Sequence, residues 1–431
     1  MALSRRQIGV VLVALLGALA LLASSPEARS QAVGDAVDHG PGGAPYAAGE
    51  LLVTYEEQAS DAVVESLDEE VGAEVRETLP EIDAKLFEFP EIKDEPSQDV
   101  REQDLQRIKE DLERHPAVES VGYNYLFSAS YAPDDPKFPQ QWGLQKTNFQ
   151  GAWSSTRGSR MRIAIVDSGT DVRHEDLKHN IWTNPNEIPG NHKDDDENGY
   201  KDDVHGWDFV DNDATVEDTF EHGTHVAGIA AADTNNGIGV AGGCPNCKLL
   251  IAKVLDGSGS GTADDVAEGI IWGVDNGAKV VNLSFAATGD ARVVRDAVDY
   301  AKRRGKVVVA AAGNSRKSRL MYPAAYANVM AVAATDRRDQ RASFSNYGDW
   351  VDVAAPGESI LSTMPGGRYA YMDGTSMAAP HVCALAGLLA SQGLRPAAIK
   401  KRIFNTAVDL GDPGRDPYYG HGRIDADRAV R

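Results

Sequence analysis

The chain has 431 residues, 65 acidic and 43 basic side chains, a net charge of −22 and 42% hydrophobic residues. That excess of negative charge argues against binding nucleic acid through its phosphate backbone. The acidity is uneven. Residues 33–130 hold 25 acidic and 7 basic side chains, so they read as a unit separate from the rest of the chain.

At the N-terminus, Arg5 and Arg6 precede an almost wholly apolar run from Ile8 to Ala23. Small and polar residues come next, and small-residue cleavage positions lie near Ala28 and at Ser30 and Ala32. This is the pattern of an export signal over residues 1–32. A single membrane anchor is the other reading, but the run is short for a full span. Residues 33–49, rich in Gly, Pro and Ala, read as a flexible lead. Then come ELLVTYEEQ (strand), ASDAVVESLDEEVGAEV (helix), AKLFEFPE (strand), DLQRIKEDLERHPAV (helix) and VESVGYNYLF (strand). The order β-α-β-α-β predicts a small two-layer α+β domain. The extended, Pro-bearing SASYAPDDPKFPQQW is a natural cleavage boundary, so the last domain is set at residues 131–431.

From about residue 131 apolar strands alternate with helices. MRIAIVDSG, CKLLIAKVL, AKVVNLSF, GKVVVAAAGNS and NVMAVAATD are the strands. GTADDVAEGIIWGVDNG and ARVVRDAVDYAKRRG are helices between them. This alternation predicts an α/β, doubly wound, mostly parallel sheet. Active groups in such folds gather beyond the C-terminal strand ends, and Asp167, Ser284 and Asn314 stand at such ends.

Three strings supply a carboxylate, an imidazole and a hydroxyl: VDSGT at Asp167, HGTHVAG at His222 and GTSMAAP at Ser376. AAAGNS, ending the fourth strand, offers the amide of Asn314. Alone, Asp167 would be a turn former and Ser376 an ordinary helix cap. Together they fit acyl transfer by an activated serine: His222 the base, Asp167 its orienting group, Asn314 and the Ser376 N–H the oxyanion donors. His225 has no acid between it and His222 in a metal-binding arrangement, and reads as a packed helix residue. No GxSxG elbow is present, which disfavours an esterase of the α/β-hydrolase type. A catalytically silent scaffold would have lost one of the four groups.

DSGT, HGTHVAG, GTSMAAP and AAGNS, in the order Asp, His, Ser, closely resemble the motifs of the subtilisin-like serine proteases, over roughly residues 140–431. The resemblance implies a secreted serine endopeptidase made as a self-processing precursor and monomeric when mature. Residues 48–128 are similar to the family's ferredoxin-like propeptide, which serves as intramolecular inhibitor and folding chaperone. It also implies groove walls at LDGSGSG, including Gly259, and at NLSFAATG. Ser284, Phe285 and Ala286 with Ala311 and Gly313 would line the first side-chain pocket. Where the family often has Leu-Gly-Gly, this chain has Phe285, Ala286 and Ala287. A broad or apolar preference for polypeptide substrates is expected.

Between Asp167 and His222 lies an acidic insertion. Asp194, Asp196, Asn198 and Asp202 fall at positions 1, 3, 5 and 9 of a calcium-type loop, with Gly199 at 6 and the Tyr200 carbonyl at 7. Position 12 is His205 rather than Glu, and Asp203 is the candidate replacement. The segment resembles a calcium-binding insertion of some secreted subtilisin-like enzymes. A structural Ca²⁺ is the expectation, and a solvated acidic loop the alternative. Cys244 and Cys247 suit a small disulfide loop after export, and Cys383 reads as a buried hydrophobe.

Overall fold

The computed structural model describes residues 37–39, 45–126 apart from 57, 61, 65–66 and 68–71, and 132–431. The signal segment, the cleavage boundary at 127–131 and residues 61, 65–66 and 68–71 of the first expected helix lie outside the described residues; 62–64 of that helix are helical, while Glu74 and Val75 at its end belong to a strand. Two compact units emerge, Met1–Ala129 and Ser130–Arg431.

The first unit is an antiparallel sheet with a helix. Its strands are β1 (Val37–His39), β2 (Pro45–Tyr55), β3 (Glu74–Leu79), β4 (Ala84–Glu88) and β5 (Val118–Tyr125). They run in the order β1-β2-β4-β3, with β5 also paired to β2. Leu51, Val53, Phe87 and Leu105 are fully buried at its core. Three expectations need correction. The flexible lead is partly strand, because Tyr46 is buried and its ring packs 4.5 Å from that of Tyr123. Strand β3 was not foreseen, since its exposed polar residues show no apolar alternation. The helix spans Gln98–Leu112 and starts six residues before its predicted position. Its polar first turn is tied down by Arg101, whose Nη2 lies 2.5 Å from the buried Asp38 carboxylate on β1. No local pattern announces that partner.

The second unit is built on seven parallel strands: β6 (Arg162–Asp167), β7 (Gly206–Asp208), β8 (Lys248–Lys253), β9 (Val280–Leu283), β10 (Val307–Ala311), β11 (Val329–Thr335) and β12 (Val353–Pro356). Their order is β12-β11-β10-β9-β6-β8-β7. Strands after β8 add on the other side of β6, so the winding reverses there and opens a crevice beyond its C-terminal end. β7 and β12 are three and four residues long, too short to show a period in the sequence. A hairpin of β13 (Ile360–Met364) and β14 (Arg368–Met372) completes the strand set.

Alternation along each strand divides the core between two faces. Ile163, Ile165, Leu249, Ile251 and Val309 face one cluster, with the helices His222–Ala231 and Thr375–Ser391. Ala164, Val166, Leu250 and Leu283 face the other, with the helices Ala263–Asp275 and Arg292–Arg303. Burial on both faces explains the continuous apolar strand sequences. Among the described residues, no helix is long and apolar enough to cross a membrane.

Candidate active site

Asp167 is the last residue of β6, His222 the first of its helix, and Ser376 the second of the helix Thr375–Ser391. The histidine helix can approach β6 because residue 223 is glycine. A Cβ there would come within 2.0 Å of the Gly169 carbonyl oxygen. His222 Nδ1 then lies 2.7 Å from Asp167 Oδ1. The same oxygen accepts the Ser168 N–H at 2.8 Å, while Oδ2 is buried without a partner among the described residues.

Two residues that the sequence reading missed brace this pair. Asp218 Oδ1 accepts the Ser168 hydroxyl at 2.8 Å and the Glu221 N–H at 2.8 Å; Oδ2 accepts from the Thr224 N–H and hydroxyl. Ser168 Oγ accepts the Gly223 N–H at 2.9 Å. Burial raises the Asp218 carboxyl above its ordinary pKa, and these hydrogen bonds partly offset it. For His222, burial opposes the charged ring. The charge and hydrogen bond of Asp167, with Asp218 beyond, outweigh it, so the pKa is raised. His225 differs: its Nε2 meets the Ile360 and Ala370 carbonyl oxygens, and burial lowers its pKa to about 4. It is a neutral packing residue.

The Ser376 hydroxyl donates to the Ser284 carbonyl at 2.7 Å, and among the described residues no hydrogen bond joins it to His222. Asn314 is exposed, and its Oδ1 accepts from the N–H and hydroxyl of Thr375 at 2.9 and 2.8 Å. That fixes the amide with Nδ2 directed away from Thr375. A Cβ on the neighbouring Gly374 would lie 3.4 Å from Nδ2. Thr375 was not singled out from the sequence, since a threonine before a serine has no signature.

A cleft of about 340 Å³ is lined by Leu255, Gly259, Val266, Phe285, Ala286 and Tyr326 among others. Gly259, Phe285 and Ala286 therefore face one cavity. Ser284, Ala311 and Gly313 are buried behind it and do not line it. Gly259 has φ +75°, and a Cβ there would come within 2.5 Å of the Phe220 ring. Phe220 is half exposed beside His222, with ring centroids 6.2 Å apart. It links Gly259 to His222, a contact that the sequence reading overlooked.

In the acidic insertion, carboxylate oxygens of Glu187, Asp194 and Asp196 lie within 4.8 Å of one another. An oxygen-only set of this kind suits a hard cation. Asp194 and Asp196 belong to the expected pattern, whereas Glu187 precedes it and was missed. Asn198 turns its Nδ2 to Asp203, and its Oδ1 accepts the Tyr200 N–H. Asp202 accepts the N–H groups of Gly190, Asn191 and His192 and so shapes the loop. Asp203 is buried, bonded to Trp272 Nε1 at 2.8 Å and Asn184 Nδ2 at 2.7 Å. Elsewhere, buried Asp176 accepts from Asn236 Nδ2 at 2.9 Å, and buried Asp135 accepts the Asn235 N–H. Burial, with a further push from Asp135, raises Asp176 to about 7.

Cys244 and Cys247 form a disulfide with an S–S distance of 2.02 Å, and Cys383 is a buried free thiol.

A doubly wound sheet with the candidate residues Asp167, His222 and Ser376 at strand ends and helix starts is the architecture of a serine hydrolase of α/β type. Residues 158–422 match the Subtilase family, and residues 33–124 match the Fervidolysin N-terminal prodomain. The chain belongs to the subtilase family and is a serine protease with an N-terminal prodomain-like region. It is 42% identical to a thermophilic serine proteinase of Bacillus sp. (strain AK1) over 387 residues, 89% of this chain and 88% of that protein. Thermitase of Thermoactinomyces vulgaris is 46% identical over 302 residues, 70% of this chain and all of that protein. A solved protease of Pseudoalteromonas arctica PAMC 21717 matches with TM-score 0.61 and 31% identity, covering 70% of this chain and 99% of that one.

Proposed function

We propose that Asp167, His222, Ser376 and Asn314 act as one site that cleaves peptide bonds through an acyl-enzyme. The observation that carries this is the 2.7 Å bond between His222 Nδ1 and Asp167 Oδ1, which leaves Nε2 as the basic nitrogen. A rotation about the Ser376 Cα–Cβ bond moves the hydroxyl from the Ser284 carbonyl to Nε2. Apo geometries commonly tighten in this way when substrate binds. His222 takes the proton as Oγ attacks the peptide carbonyl, and Asp167 stabilises the imidazolium. Asn314 Nδ2 and the Ser376 N–H, in the first turn of its helix, donate to the oxyanion. His222 then protonates the leaving amine, and water clears the acyl group.

The test is labelling with phenylmethylsulfonyl fluoride, combined with peptide mass mapping and casein hydrolysis. One adduct on Ser376, with activity lost in proportion, is expected. Full labelling elsewhere, with activity lost, would overturn the reading. Asn314→Ala should lower kcat by about 10²–10³ at nearly constant KM, as known for the matching change in subtilisin of the same family.

The cleft walls at Phe285, Ala286 and Leu255 support a broad or apolar side-chain preference. We read residues 1–32 as a removable signal, 33–130 as an inhibitory and chaperone propeptide, and 131–431 as the secreted peptidase, monomeric once processed. The prodomain match supports the second of these assignments.

Glu187, Asp194 and Asp196 would hold a structural Ca²⁺, with the Tyr200 carbonyl, Asn198, Asp202 and Asp203 as the further candidates from the loop pattern. Bound calcium supplies charge neutralisation where carboxylates crowd together. Binding only to the folded chain stabilises by about 2.7 kcal/mol at a hundredfold excess over Kd. EDTA should therefore lower the calorimetric Tm. Glu187→Gln with Asp194→Asn should reduce the bound calcium by one ion per chain by elemental analysis. Unchanged metal content would reject this site.

A further inference from the structure

Strand β9 reads Val280, Val281, Asn282, Leu283, and Asn282 is its one polar side chain. The strand lies between β6 and β10, so the sheet takes its backbone groups. Asn282 is fully buried, and a buried amide needs partners at both ends. Its Oδ1 accepts from Cys383 Sγ at 3.2 Å, and its Nδ2 donates to Ser284 Oγ at 2.9 Å. Ser284 Oγ in turn donates to the backbone carbonyl of Ser376 at 2.9 Å.

That carbonyl is open to Ser284 for a local reason. The residue four positions on is Pro380, inside the helix, and proline has no N–H to give. The Ser284 hydroxyl replaces the missing helical hydrogen bond. The direction of this hydrogen-bond relay is set at its far end. A thiol donating to Oδ1 obliges the amide to present Nδ2 to Ser284. With a donor already on its oxygen, Ser284 directs its single proton to Ser376. Burial raises the Cys383 thiol well above its ordinary pKa, so it remains a donor. Ser376 Oγ bonds back to the Ser284 carbonyl, so the two residues clasp each other.

We propose that Asn282 is a positioning residue for the nucleophile: held by Cys383, it aims the Ser284 hydroxyl at the Ser376 carbonyl and fixes the peptide that carries the attacking group. This rests on Ser376 being the nucleophile, as proposed above. Without the thiol donor the amide is free to turn over. Oδ1 would then draw the Ser284 proton, and the Ser376 carbonyl would lose the donor that stands in for the helix.

The experiment compares wild type, Cys383→Ala, Cys383→Ser and Asn282→Ala, each expressed as the full chain and assayed after processing. It reads kcat and KM on a chromogenic peptide, the second-order rate with phenylmethylsulfonyl fluoride, and Tm. Cys383→Ala should lower kcat and the sulfonylation rate together by roughly tenfold or more, with KM unchanged. Cys383→Ser restores an O–H donor and should recover most of that loss, whereas Asn282→Ala should lose at least as much as Cys383→Ala. If Asn282→Ala does not fold, the two cysteine variants decide. Equal impairment of both, or wild-type kcat in Cys383→Ala, would overturn the proposal. A wild-type enzyme that hydrolyses peptide but does not react at Ser376 would instead overturn the nucleophile reading, and the proposal with it.

Discussion

Ser376→Ala is expected to lower kcat by about 10⁶-fold, the loss known for subtilisin of the same family when its nucleophile is removed. The residual rate comes from oxyanion donors and substrate positioning, which the substitution leaves in place. The variant should fold with a near-native Tm. It gives up only the bond from Oγ to the Ser284 carbonyl, at a partly exposed position. Its precursor should also stay whole. During refolding in calcium, intact mass and N-terminal sequencing should show wild type losing the first unit near residues 127–132, while Ser376→Ala remains full length. If both stay full length while folded, an external protease performs maturation. If both are cut, the cut does not come from Ser376.

Asp167→Asn is expected to cost two to four orders of magnitude in kcat, and its pH profile distinguishes the causes. Asp167 Oδ1 accepts both the Ser168 N–H and His222, while Oδ2 has no partner among the described residues. An asparagine can therefore keep its oxygen toward both donors and place its nitrogen where Oδ2 lies. The His222 tautomer then survives and only the charge is lost, at the lower end of the range. Turning the amide over would present N–H to N–H, force the wrong tautomer and give about 10⁴-fold. In wild type, Asp167 is the main group raising the His222 pKa against burial. Catalysis needs the neutral ring, so kcat/KM falls as pH drops through that raised value. In Asp167→Asn this acid limb should move to lower pH. The stability sign is opposite. A raised histidine pKa stabilises the fold fully below the unfolded value, and that contribution is lost as pH rises through the folded value. Calorimetry on the acid side should therefore show the variant losing stability relative to wild type, with the gap closing above the folded pKa. An unmoved acid limb would mean that Asp167 does not govern His222.

The acidic insertion shows where local pattern reading stops. The loop spacing drew attention to Asp194 and Asp196. Glu187 comes from an earlier turn, and it and Asp202 each accept backbone N–H groups of the loop. A linear calcium pattern assumes that one loop closes on itself, and here a neighbouring segment supplies a carboxylate. In the first unit, the buried ion pair of Arg101 with Asp38 likewise extends a helix that propensity alone would start later.

The sequence by itself determined the sheet and marked the candidate catalytic groups. Buried parallel strands need continuous apolar runs, so β6 and β8 to β11 are visible as such. Asp167, His222, Ser376 and Asn314 each sit in a short string whose strand end or helix start fixes the local backbone. Tertiary structure alone decided how those groups are supported. Asp218 reaches Ser168 across 50 positions, Ser284 reaches Ser376 across 92 and Cys383 reaches Asn282 across 101. Hydrogen-bond partners of buried polar groups depend on which strands and helices lie side by side. That adjacency is a property of the packed sheet, and no local spacing encodes it.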